Sequence, residues 1–240
     1  LLEPVLVVVA VATAVLGPLG AIAETHLRRA LGYLVIGGIG VTIAGLALAN
    51  ATGMAGAMTY ILHAMLTMTA FYLVAGLIED MTGETDTRRM GGLYASTTWL
   101  SVLFFILMLA AAGVPPFRGC WPTLLLVQAG IVGWESGWQL ALWLAVLANA
   151  LLTLIAGSRL WSHIFWHPAD DNADAADRKI KPLPRRDVWL ALAPASILTA
   201  AVVLLGLWPE PLLAFGKEAA AGLLDPARYV LATGLAEVTP

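Results

Sequence analysis

The 240-residue chain is 60% hydrophobic and only 12% charged, with a net charge of −3 and a mean hydropathy of +0.83. Soluble domains carry roughly 25% charged residues, so this chain has too few charges to coat a water-exposed surface, and a soluble enzyme is excluded. No basic stripe interleaved with aromatics is present, which disfavours a nucleic-acid partner. The single cysteine, Cys120, excludes internal disulfides, thiolate zinc sites and cysteine-held iron–sulfur clusters.

A bilayer-crossing helix needs about 20 mainly apolar residues. Seven stretches meet or approach that length: 5–23, 31–50, 54–78, 93–112, 114–132, 139–161 and 188–208. Backbone polar groups cannot go unpaired in lipid, so each reads as a helix and the chain as an all-α, multi-pass bundle. The apolar opening has no basic leader and no small-residue cleavage site. A sequence that begins without Met, directly in a span, is expected to be a portion of something longer.

Between the spans lie the charges. Glu24, His26, Arg28 and Arg29 follow the first stretch, and Glu79, Asp80, Glu84, Asp86, Arg88 and Arg89 follow the third. Gly113-Val114-Pro115-Pro116 separates the fourth from the fifth, and Pro122 lies inside the fifth. Proline removes a backbone donor and crowds the preceding turn, so this region reads either as a partly unwound, broken helix or as a tight hairpin with a proline kink. The largest polar segment, 162–187, is first acidic (Asp170, Asp171, Asp174, Asp177), then basic (Arg178, Lys179, Lys181, Arg185, Arg186). Seven alternating spans put this loop opposite the other two charged turns, and its basic residues, with Arg159, place it in the cytoplasm. Residues 209–240, with Pro209, Pro211, Lys217, Glu218 and a Leu/Phe face, suit a helix at the other interface.

Ionisable groups at membrane depth are costly and mark function. His63 sits mid-span, with Tyr60 and Thr67 on the same helical face (i, i+3, i+7). A histidine that titrates near neutrality, beside hydroxyls able to hold water, is what a proton wire requires; a neutral histidine bonded to a neighbouring helix is the plainer alternative. Arg118, after the double proline, keeps its proton and can supply charge without relaying. Arg159 reads as a snorkelling cation. His163 and His167 are spaced i, i+4 near Asp170 and Asp171, but Trp161, Phe165 and Trp166 favour an interfacial belt over a metal site. No metal and no cofactor is expected.

The run from His63 to Gly76, continued through Leu77-Ile78-Glu79-Asp80-Met81-Thr82-Gly83-Glu84 to Tyr94, resembles the D-type subunit of the Mrp-type multisubunit sodium/proton antiporters. Gly113-Val114-Pro115-Pro116-Phe117 with Gly119 and Trp121, leading into Leu124–Gly130, is similar to that family's broken helix. His26–Tyr33 with Ile39-Gly40 is similar to its basic loop and next helix, and Leu151–Leu154 before Arg159 fits as well. The family shares its fold with antiporter-like membrane subunits of respiratory complex I and of hydrogenases, built as two inverted repeats of seven helices. The resemblance therefore implies the C-terminal repeat. It also implies a cell-membrane location, partnership with other antiporter-complex subunits and the lipid bilayer, and transport of protons with sodium. On this reading the chain is a secondary transporter subunit, not an enzyme. A proton-pumping arm subunit of a redox complex, or an inactive structural fragment, are the competing readings.

The resemblance also implies departures. Met68 and Thr123 stand where the family carries lysines, Ala64 where it has a second histidine, Arg118 where it has a serine, and Gly37-Gly38 where it has a Ser-Gln pair. His63 is then the remaining proton-handling group, with Tyr60 and Thr67 supporting water, and Pro115, Pro116, Arg118 and Thr123 lining the break.

Overall fold

The computed structural model describes residues 2–131, 137–166 and 185–225, together with 227 and 230. Its elements are α1 (Leu2–Ala23), α2 (Leu27–Ala47), α3 (Ala51–Thr82), α4 (Leu93–Ser96), α5 (Thr98–Ala111), α6 (Cys120–Ile131), α7 (Gly137–Trp161), which runs on as a π turn over Ser162–Trp166, α8 (Arg185–Leu207) and α9 (Glu210–Leu224). The described residues contain no named strand, so the all-α architecture stands. Pro4–Ala23, Leu27–Ala47, Ala51–Thr82 and Gly137–Trp166 are each long and apolar enough to cross a bilayer, whereas α5 and α6 are short apolar helices.

Helix α3 is the organising element and packs against α2, α5, α6, α8 and α9. Its start is fixed by Asn50, whose side chain accepts from Gly53 N at 2.7 Å and donates to Ala129 O at 3.3 Å. Capping of this kind satisfies a backbone donor that the first helical turn leaves free. Its end is set by Gly83, which at φ 69° occupies the left-handed region open to glycine.

Two contacts decide how the fourth and fifth apolar stretches run. Phe104 of α5 stacks edge-on against Phe71 at 5.1 Å, and Leu126 of α6 lies against Gly56. Gly119 between them faces His63, and Ala129 meets Asn50. As the numbers rise from 104 through 119 and 126 to 129, their partners on α3 and its cap fall from 71 through 63 and 56 to 50. At about 1.5 Å per residue, α5 with 14 residues and α6 with 12 are each too short for a core of about 30 Å. End to end they suffice. The two stretches are thus the halves of a single broken pass antiparallel to α3, not two passes.

This corrects the alternation of sides drawn from the sequence. Trp161, at the end of α7, donates to Ser101 O and Oγ at the start of α5, and Phe165 packs on Phe104. The turns after α1 and α3 meet at that same end, where Leu27 N donates to Thr85 O and Thr87 N to Thr25 O. Residues Leu192 and Leu198 pack on the same cluster around Phe71, Phe104 and Phe165. Both flanks of the long polar segment therefore lie at the end that carries the other two charged turns, not opposite them. Residues 167–184 of that segment are outside the described residues.

A second apolar cluster, around Val7, Val41, Leu126 and Val146, occupies the other end. Helix α8 bends by 80° into α9, and α9 buries Leu212, Gly216 and Ala220, with Gly216 seated against Ala55 and Thr59 of α3. The remaining tail from 226 onward is described only at Ala227 and Val230.

Candidate functional site

Between the two apolar clusters lies a layer of buried polar groups. His63 and Arg118 are each 2% exposed, Thr67 is 0% and Tyr60 8%. Groups of this kind are not left in an apolar interior without partners or a purpose.

The three α3 residues expected to share a face do so and touch. His63 Nδ1 and Thr67 Oγ1 are 3.2 Å apart, one turn along the helix. The Tyr60 ring meets the imidazole edge-on, with centroids 5.8 Å apart. The other ring nitrogen, Nε2, faces the break: a Cβ placed on Gly119 would stand 3.0 Å from it and against Ala110 O. Only glycine lets the chain pass this close to the ring.

The break itself follows from its sequence. Gly113 takes φ 74°, and the Pro115-Pro116 peptide bond is cis. Helix resumes at Cys120, and Pro122 falls in its first turn, where a missing N–H is harmless. Pro116 O and Arg118 N lie against Gly206 of α8, while Trp121 Nε1 donates to Gly206 O at 2.9 Å. Pro115, Pro116 and Arg118 thus form the break beside His63. The Thr123 hydroxyl reaches back to the same break, donating to Gly119 O at 2.9 Å and lying 3.1 Å from the position of a Gly113 Cβ. Arg118 lies within electrostatic reach of His63. Its Nε and Nη1 atoms are buried without a hydrogen-bond partner, and none of the four described ion pairs includes it.

A groove of about 400 Å³ opens between α2 and α3 beside His63, with Gly38, Thr42, Tyr60, His63 and Met68 among its walls. Met68 therefore shares a cavity with the histidine, although it cannot itself exchange a proton. The Tyr60 hydroxyl sits 3.3 Å from the position of a Gly38 Cβ, and the Asn149 amide 2.6 Å from that of Gly37. Gly37 is accordingly a close-packing position, while a side chain at Gly38 would have to displace the Tyr60 ring.

Sequence reading missed Asn149 and Gly206, and named Gly119 only as part of the broken-helix motif. Asn149 Nδ2 donates to Ala14 O at 2.8 Å, the carbonyl left without a helical donor because Pro18 lies four residues later. A lone Asn within an apolar helix, and a proline four residues beyond a buried small residue, were the available signals. Nothing in the sequence alone pairs them. His163 contacts the Arg159 carbonyl at 2.8 Å; His167, its expected companion, lies outside the described residues. No group of three metal-ligating side chains occurs among the described residues.

At the charged end, Arg28 pairs with Glu79, Arg29 with Glu24 and Arg88 with Asp86. The backbone N–H groups of His26 and Thr25 hold the Glu24 carboxyl below its usual range. The hydrogen bond from Arg88 does the same for Asp86.

Residues 2–153 match the family described as NADH:quinone oxidoreductase/Mrp antiporter, transmembrane. The chain belongs to that family. It is 31% identical over 214 residues to the D-type subunit of the Na(+)/H(+) antiporter of Alkalihalophilus pseudofirmus, covering 89% of this chain and 41% of the relative. It is 28% identical over 218 residues to the subunit of the same name from Bacillus subtilis, covering 91% and 42%. Among solved structures, a chain of the Mrp complex from Dietzia sp. superposes with a TM-score of 0.83 at 29% identity, over 96% of this chain and 49% of that one. Respiratory complex I from Thermus thermophilus shares the fold, with a TM-score of 0.71 at 23% identity over 93% of this chain and 45% of that one. The chain spans about two fifths of the length of the curated relatives it matches. It is a multi-pass membrane protein of that family, and the relatives it matches are named as antiporter subunits.

Proposed function

We propose that this chain is a proton-handling part of a multisubunit sodium/proton antiporter of the cell membrane, a secondary transporter that works together with other antiporter-type membrane subunits. One observation carries this beyond family membership: the His63 ring lies between a groove and the broken pass. Its body lines the groove between α2 and α3, Nδ1 meets Thr67, and Nε2 faces Gly119 in the middle of the broken pass. A neutral imidazole donates through one nitrogen and accepts through the other. A proton taken at one nitrogen can be passed on from the other to a water molecule in the break, with the Thr67 hydroxyl able to rotate as donor or acceptor. Neither Met68 nor Thr123 can join such a relay, so it narrows to His63.

Sidedness belongs to the same proposal. The end holding Arg28, Arg29, Arg88, Arg89 and Arg159 is the cytoplasmic one by the positive-inside rule. On this reading α9 lies at the opposite interface. The experiment is purification from membranes in mild detergent, with every companion identified by mass spectrometry. Other antiporter-type membrane subunits are expected. Flavin or iron–sulfur subunits would instead assign the chain to a redox-driven pump, and isolation alone would favour an inactive structural role.

A further inference from the structure

Arg118 is a permanent cation at membrane depth with no counter-ion among the described residues. It is 2% exposed, its Nε and Nη1 have no hydrogen-bond partner, and it immediately precedes Gly119, which faces His63 Nε2. The described ion pairs all sit at the charged end, on Glu24, Glu79 and Asp86. Guanidinium stays protonated under all ordinary conditions, so this charge can be neither switched off nor passed on.

We propose that Arg118 is the specificity-determining charge of the broken pass, excluding alkali cations so that only a proton can use His63. The inference rests on the antiporter reading above and deepens it. A hard monovalent cation entering the break would need oxygen ligands to replace its hydration shell. No carboxylate is described at this depth, and the Gly119 carbonyl already accepts from Thr123. Repulsion adds to that lack: a fixed unit charge about 6 Å away, at an effective dielectric of about 20, lowers a second cation's occupancy on the order of a hundredfold. A proton meets the same field, but it is covalently accepted by imidazole, whereas sodium finds no comparable partner. The close approach of Gly206 to Pro116 O and Arg118 N holds the arginine backbone in place and keeps the charge where it acts.

The test uses the complex that contains this chain, reconstituted into liposomes. Passive uptake of radioactive sodium is measured under an imposed inside-negative potential without a pH gradient, alongside exchange driven by a pH gradient. Arg118→Gln and Arg118→Ser are expected to raise the sodium leak at least tenfold, with Arg118→Lys remaining at the wild-type leak. An unchanged leak in whichever of the Gln and Ser variants assembles overturns the inference, and so does a lysine variant that leaks like the glutamine one. A wild-type complex that shows the Arg118-dependent barrier but no sodium/proton exchange would count against the antiporter reading alone.

Discussion

Replacing Asn149 with alanine isolates one interhelical bond whose worth follows from the sequence of its partner helix. Pro18 has no N–H, so Ala14 O loses its ordinary donor, and Ala14 is fully buried. The Asn149 amide supplies the missing donor at 2.8 Å across the α1–α7 contact. Orphaning a buried carbonyl costs about 1–3 kcal/mol, while side-chain hydrogen bonds between membrane helices average about 0.6 and reach about 1.7 kcal/mol. Because Ala14 O has no substitute donor, the upper part of the membrane range applies, and Asn149→Ala should destabilise by about 1.5 kcal/mol. The assay is unfolding in mixed micelles titrated with denaturing detergent, run as a double-mutant cycle with Pro18→Ala. Alanine at 18 restores an N–H to bond Ala14 O, so the Asn149 loss should shrink by about 1 kcal/mol in that background. Equal losses in both backgrounds would rule this explanation out, because they would show that Asn149 stabilises through packing and not through the orphaned carbonyl.

Two further perturbations test the site and the charged end. A Cβ at Gly119 would strike Ala110 O and crowd His63, so Gly119→Ala should cost about 3 kcal/mol, the top of the overpacking range. Gly137→Ala, with nothing within 4 Å of its added atom, should stay within about 0.5 kcal/mol in the same unfolding titration. At the charged end, folding holds Glu24 below its ordinary 4.5 and Asp86 below 3.8. Their contribution is therefore complete above those values and is lost as pH falls through the lower, folded ones. The hydrogen-exchange protection factors of the Leu27 and Thr87 amides, which bond across the two turns, should fall only in that acid window; a loss of protection beginning near neutrality would contradict it.

The apolar stretches, their helical state and the shared face of Tyr60, His63 and Thr67 are all legible in the sequence, because each depends on local periodicity. The number of passes is not. Gly113-Val114-Pro115-Pro116 marks a break equally well whether the chain turns back or continues. Only the pairing of Phe104, Gly119, Leu126 and Ala129 with successive levels of α3 shows that it continues. The side on which the long polar segment starts and ends depends on that count, so it changed with it. The closeness of Gly119 to His63 and the bond from Asn149 to Ala14 join residues 56 and 135 positions apart, which no local pattern can pair. The glycines at 37 and 38 read in the sequence as lost polar groups. In the fold they are contact points for Asn149 and Tyr60.

The proposed proton-handling role of His63 is tested by sodium-driven proton flux in liposomes containing the reconstituted complex, comparing wild type with His63→Ala. At least a tenfold fall in flux is expected, with the companion subunits still bound in wild-type proportion. Unchanged flux in a fully assembled His63→Ala complex would remove His63 from the proton path.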